Sequence, residues 1–343
     1  MESYKIVIWL LILLFLILIL PFIYKKIENK LEIFLFVMGI LSVTIASQWS
    51  LHLIRESLIE PIKITLAVFI AGILFNWVQK PLDENLNFIV NKLGIKLFVF
   101  LLVIGLGLLS SIITAIISAL ILVEIISYLK LDRKTEIKIV VLTCFSIGFG
   151  AALTPIGEPL STITIAKLKG HPYYADFWFL LKYLLFYVLP AIIFLGILSA
   201  KIVSKKLTNN YGLREKRQEN IKDILFRTLK VYVFIIALVF LGTGYKPLVD
   251  MYISKIPFYF LYWINISSAV LDNATLAAAE IGPSMNILQI KSALLGLIIA
   301  GGMLIPGNIP NIIAANKLNI TSKEWAKIGI PLGLLLLIIY FII

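Results

Sequence analysis

Ten apolar stretches run through the chain, at residues 6–23, 31–50, 61–79, 94–128, 137–167, 176–203, 222–243, 251–284, 287–318 and 322–343. Stretches of this length can cross about 30 Å of hydrocarbon. Lipid offers no hydrogen bonds, so backbone at that depth is helical unless protein or water lines it. The expected fold is therefore an all-α polytopic membrane protein, with the lipid bilayer as its main partner. Composition agrees: 60% of residues are hydrophobic and 15% charged, against about 45–50% and about 25% in soluble domains. A soluble enzyme and a disordered chain are both excluded. Cys144 is the single cysteine and cannot form an internal disulfide, and two histidines, His52 and His171, leave little for a zinc site. The net charge of +12 is carried by residues between apolar runs, which argues against a nucleic-acid partner. The run 6–23 has only Lys5 before it and Lys25, Lys26 and Lys30 after it, with no small-residue cleavage site. It reads as a retained anchor.

Four stretches, 94–128, 137–167, 251–284 and 287–318, are too long for one straight span and are interrupted near their middles. Their interruptions repeat. Leu153-Thr-Pro155-Ile-Gly-Glu-Pro159 and a following Ala166-Lys-Leu168 are matched by Leu304-Ile-Pro306-Gly-Asn-Ile-Pro310 and Asn316-Lys-Leu318. Upstream, Ser110-Ser111 matches Ser267-Ser268, and Glu124 matches Glu280. These matches divide the chain into an N-terminal pair of helices (1–60), a first copy (61–203), a polar linker (204–221) and a second copy (222–343).

Charge sets the orientation. If each split segment (94–128 and 251–284) returns to the side it entered, one face carries 22 of the 31 Lys and Arg residues and the other 9; if each crosses once, the division is 17 to 14. The positive-inside rule favours returning hairpins. Each copy then crosses an odd number of times, so the two copies are expected to be inverted, with the linker cytoplasmic and both termini outside. Whether the hairpins are shallow or fully spanning stays open.

Broken helices leave unpaired amides at one half-helix end and carbonyls at the other, and these bind anions and cations. Inverted repeats with paired breaks are a signature of secondary transporters with a midplane site. Glu158, between Gly157 and Pro159, and Asp272, with Asn273 and Thr275, sit at the interruptions. A carboxylate at membrane depth is a functional candidate by default. Asp272 could also be a plain helix cap, and Glu158 could lie at the membrane–water boundary. Glu124 and Glu280 fall further along the hairpins, nearer the surface. Asn308 and Asn311 are counterparts of the Glu158 region and offer carbonyl oxygens to a hard cation or amides to an anion. Thr154, Ser161, Thr162, Ser110, Ser111, Thr114 and Ser268 add hydroxyls, each of which could equally serve helix packing. The six tryptophans suit an interfacial belt.

Thr154-Pro-Ile156-Gly157-Glu158-Pro159 resembles the Thr-x-Ile-Gly-acid-Pro loop of the ion transporter superfamily. Ala269-Val-Leu271-Asp272-Asn273-Ala-Thr275 resembles the Leu-Asp-Asn-x-Thr hairpin tip of its NhaD-type sodium/proton antiporter branch; arsenite and dicarboxylate carriers belong to the same superfamily. The whole chain also resembles a family of small prokaryotic membrane proteins labelled cation transporters. The resemblance implies two inverted repeats, each giving a re-entrant hairpin and a broken helix to a central site in a prokaryotic cell membrane. It implies Asp272, Asn273, Thr275, Glu158 and Thr154 as cation ligands, Asn308 and Asn311 as looser matches, and a homodimer. In this chain the two motifs fall in opposite halves, and the first hairpin, Ser110 to Ser118, contains no Asp or Asn.

The expected function is secondary transport of a monovalent cation, by Na⁺/H⁺ antiport or Na⁺ coupling. Asp272 and Glu158 would face each other and hold a proton or Na⁺ in turn. No cofactor is expected beyond that ion. A Na⁺-coupled carrier of a small organic or inorganic anion is the alternative, using half-helix amides with Lys167 or Lys291. An intramembrane aspartyl protease built on Asp250 and Asp272 lacks any accompanying protease motif, and an enzyme is not expected. A channel would differ in that its flux is not coupled to a second ion.

Overall fold

The computed structural model describes residues 2–28, 30–59, 61–62, 65–66, 69–70, 73, 89–90, 92–129, 131–203, 221–269 and 272–343. Helices account for nearly all of them, and no strand occurs among the described residues. The helices used below are α1 (Glu2–Ile23), α2 (Leu31–Ile45), α3 (Ile95–Ile113), α4 (Ala115–Leu129), α5 (Arg133–Ala151), α6 (Pro159–Leu168) and α7 (Phe179–Ile202). The second half supplies α8 (Ile221–Gly244), α9 (Lys246–Met251), α10 (Phe258–Ile264), α11 (Asn273–Glu280), α12 (Ile287–Gly301), α13 (Ile309–Lys317) and α14 (Ser322–Ile342).

Four of these are long and apolar enough to cross a membrane: α3, α7, Ile224–Gly244 of α8, and α14. Their outer faces carry large apolar side chains in the open, such as Phe186, Leu189, Ile193, Phe194 and Ile197 along α7. A continuous stripe of that kind, on a helix face that no neighbouring helix covers, fits contact with lipid tails. The protein is an all-α, multi-pass membrane protein.

Local signals set the helix starts. Asp132 caps α5 by accepting from the Thr135 amide. Asn286 and Gln289 form a capping box at α12, and Thr321 and Glu324 form another at α14. Pro159 is the first residue of α6, where its missing N–H is no loss.

The long stretches divide near the expected places. The first split segment turns at Thr114, between α3 and α4. The second bends through 3₁₀ turns into α10 and α11, of seven and eight residues. At 1.5 Å per residue neither exceeds about 12 Å, so neither is long enough to cross a membrane by itself. The stretch 31–50 is shorter as a helix than its apolar length suggests, because α2 stops at Ile45 and Ser47 takes a positive φ of 53°. Most of the 61–79 span and linker residues 204–220 lie outside the described residues; Ile221, assigned to the linker, opens α8.

Packing is reciprocal between the halves. In the first, α5 packs on α3, α4 and α7; in the second, α12 packs on α10, α11 and α14. The halves also exchange contacts: α6 of the first lies on α11 of the second, and α13 of the second lies on α4 of the first.

Candidate functional site

The site forms where the exchanged helices begin. α5 ends at Ala151, and the chain resumes as α6 at Pro159. α12 ends at Gly301, passes through one 3₁₀ turn, and resumes as α13 at Ile309. The residues before the new helices, Glu158 (φ −156°, ψ 162°) and Asn308 (φ −153°, ψ 148°), are both extended. Neither uses its side chain to cap its own helix. The two therefore remain available to face inward.

The breaks are built alike. Ser161 Oγ donates to Ala151 O at 3.1 Å, and Asn311 Nδ2 donates to Gly301 O at 2.8 Å. Thr162 Oγ1 donates to Pro155 O at 2.6 Å, and Asn311 Nδ2 reaches Leu304 O at 2.9 Å. On the hairpins, Ser110 Oγ donates to Ile147 O at 2.9 Å and Ser268 Oγ to Leu297 O at 3.2 Å. These bonds set the true register of the internal match. Gly157 pairs with Gly307, Glu158 with Asn308 and Ser161 with Asn311, each 150 residues on. Aligning the prolines is therefore off by one, because Pro155 and Pro159 fall opposite Ile305 and Ile309.

Glycine allows the tight return of the first break. A Cβ on Gly157 would lie 2.0 Å from Ala151 O, and one on Gly307 2.5 Å from Gly301 O. The first hairpin is clamped to the break next to it: the Ala115 amide donates to Gly157 O at 2.8 Å, and the Thr154 hydroxyl donates to Ser111 O. Thr114, at the tip, holds φ 77° and ψ 150°, a conformation that a β-branched residue rarely takes.

Asp272 caps α11. Its Oδ2 accepts from the Thr275 amide at 2.9 Å and from Thr275 Oγ1 at 3.1 Å. Capping was one of the two roles open for Asp272, and it does not remove the residue from the site. Glu158 lies within electrostatic reach of Asp272, beside the amides of Asn273 and Asn308. Both Glu158 oxygens and Asn273 Nδ2 are buried and make no hydrogen bond among the described residues. The walls come from both halves. The Asn308 amide lies 3.0 Å from where a Cβ on Gly148 of α5 would stand, and Asn273 Nδ2 3.5 Å from one on Gly301 of α12. Among the described residues no three His, Cys, Asp or Glu side chains gather, so the cluster is a carboxylate pair with amides. Because α6 and α11 both start here, two sets of first-turn amides favour negative charge at this point.

The structure thus brings together Glu158, Asp272, Asn273, Asn308 and, through Asp272, Thr275. The remaining candidates serve the frame. Ser161 and Asn311 close helix ends, Thr162 holds the loop at Pro155, Ser110 and Ser268 tie the hairpins to α5 and α12, Thr154 holds the first hairpin, and Ser111 donates to Leu108 O on its own helix. Two further polar residues meet at the far ends of α6 and α11, Glu280 buried and Lys167 half-buried. Glu280, expected nearer the surface, is 8% exposed because α6 covers it. Lys167 donates to Ala278 O and acts on Glu280. The repeated Lys of the two x-Lys-Leu motifs was the signal that could have marked the position. Lys291 stands 4.8 Å over the Tyr187 ring.

No curated protein matches the chain. A family profile described as protein of unknown function (DUF1646) matches residues 7–343. By sequence, then, this multi-pass helical chain belongs to the DUF1646 family.

Proposed function

We propose that the protein is a secondary transporter of a monovalent cation, working by Na⁺/H⁺ antiport or Na⁺ coupling in a prokaryotic cell membrane. The two halves act as inverted repeats with the 204–221 linker on the cytoplasmic side, and the central site opens alternately to each face. The observation that carries this reading is the pairing of Glu158 and Asp272, buried together at the starts of α6 and α11 with the Asn273 and Asn308 amides beside Glu158. Two carboxylates in such surroundings compete for one positive charge. A proton or a sodium ion can supply it, and each displaces the other. Asn273, Asn308 and Thr275 add oxygens for a hard cation.

The anion-carrier alternative has weaker support. Its proposed cations are engaged elsewhere, Lys167 with Ala278 and Lys291 with Tyr187, and an anion would meet two acids. The likeness to the ion transporter superfamily, and dimerisation with it, belongs to this proposal. Radiosodium uptake into proteoliposomes with and without a pH gradient tests it. Gradient-driven uptake that Asp272→Asn and Glu158→Gln each abolish is expected. Full gradient-driven movement in both variants would overturn the mechanism.

A further inference from the structure

The α6–α11 pair has a second charged end. Glu158 and Asp272 stand at the starts of the two helices, and Lys167 and Glu280 at their finishes, so the helices run parallel. Glu280 follows Asp272 by eight residues, about 12 Å along α11. It is buried, and its Oε2 makes no hydrogen bond among the described residues. Beside it stands Asn265, fully buried. The Asn265 amide nitrogen donates to Ala293 O at 3.1 Å, while Oδ1 also lacks a donor among the described residues. Two neighbouring side chains thus each hold a buried acceptor in want of a proton donor, a costly arrangement unless something supplies one.

Lys167 is the charged group that acts on Glu280. Its ammonium is committed to Ala278 O, and its stem passes Gly242 of α8, where a Cβ would come within 3.0 Å of Lys167 Cε. Asp250 and Lys246 of α9 act on Lys167 in turn. Asp250 is partly exposed, accepting from Lys246 Nζ at 2.6 Å and from Ser284 Oγ at 2.8 Å. Ionisable groups therefore step from the surface, through Lys167, to Glu280.

We propose that Glu280 is a second proton-binding site, separate from the central carboxylate pair, which takes its proton from water at the face where Lys246 is exposed and Asp250 partly so. A proton on Oε2 turns an unpaired acceptor into a donor for a neighbouring oxygen. A metal ion fits less well, because the Lys167 ammonium already stands there. The role of this site in transport rests on the cation/proton reading above; the proton site itself does not.

Infrared difference spectra of the full-length protein in liposomes, recorded between acid and alkaline pH, test it directly through the C=O stretch of a protonated carboxyl. The band is expected to lose one component in Glu280→Gln and to keep it in the Glu158→Gln/Asp272→Asn double variant. A spectrum of Glu280→Gln that matches the unmodified protein overturns the proposal. Should Glu280→Gln not fold, Lys167→Met gives the second reading: removing the neighbouring charge moves the titration midpoint of that component by at least about one pH unit, a tenfold change in proton affinity. A midpoint that stays in place overturns the proposal too. Both outcomes are read without any sodium flux, so a failure of the transport mechanism is seen separately.

Discussion

The two hairpin-and-break units use one frame for different ends. In the first, the hairpin tip is Thr114, a strained residue pinned through its neighbours to the Gly157 turn, and the acid sits on the break, at Glu158. In the second, the break carries the neutral Asn308, and the acid sits on the hairpin tip, at Asp272, in an ordinary cap conformation (φ −55°). The exchanged packing then places the two elements with an acid at their start together, α6 on α11, and the two with neutral starts together, α4 on α13. Repetition supplies the scaffold twice, whereas the two central acids, Glu158 and Asp272, stand on elements that do not correspond.

The largest test of this asymmetry is charge removal. Glu158→Gln and Asp272→Asn are each expected to lower sodium-coupled flux at least about tenfold, about 1.4 kcal/mol, while Thr114→Ser leaves it within about twofold. An equal loss in Thr114→Ser, measured in the same vesicles, would break the comparison. Next is Gly157→Ala, whose methyl would meet Ala151 O. Overpacking of this kind costs about 1–3 kcal/mol, seen as a lower melting temperature in detergent. Gly170→Ala, with nothing within 4 Å of the added carbon, is expected to melt unchanged.

Smaller effects are expected at the helix ends. Asn311→Ala removes the donor to two carbonyls and Ser161→Ala the donor to one. A buried acceptor left without its partner costs about 1–3 kcal/mol, so thermal unfolding should rank Asn311→Ala below Ser161→Ala. Equal melting temperatures would show that the two breaks are held by different means. The smallest effect lies at the surface. The Thr135 hydrogen bonds at the start of α5 hold the Asp132 carboxyl below its ordinary value of 3.8. Its contribution is therefore complete above that value and is lost as the pH falls from there through the lowered one. Asp132→Ala should cost about 0.5–2 kcal/mol at neutral pH, with the difference from the unmodified protein narrowing below about pH 4.

Much of this was legible in the chain. The apolar stretches, the proline-marked breaks and the odd placement of the two acids are local patterns. What could not be read was whatever depended on partners far along the sequence. Glu280 is covered by a helix more than a hundred residues earlier, so a count of positions along its own hairpin put it near the surface. Ser161 and Asn311 read as candidate ligands because their donors are evident in sequence, while the carbonyls that take them, ten residues back, become visible only once the chain has folded over itself. The one-residue shift between the prolines and the true register has the same origin: the return of the backbone is fixed at Gly157 and Gly307, and the prolines only flank it.

A helix usually satisfies its opening amides with its first side chain. α6 and α13 withhold theirs, keeping Glu158 and Asn308 for the interior. On the transport reading, the empty molecule is consequently its own weakest form, and cargo doubles as a structural ligand. Sturdiness and grip are then opposed at these two positions: a substitution such as Asn308→Ser, which restores a conventional cap, would yield a hardier protein that holds its ion less well.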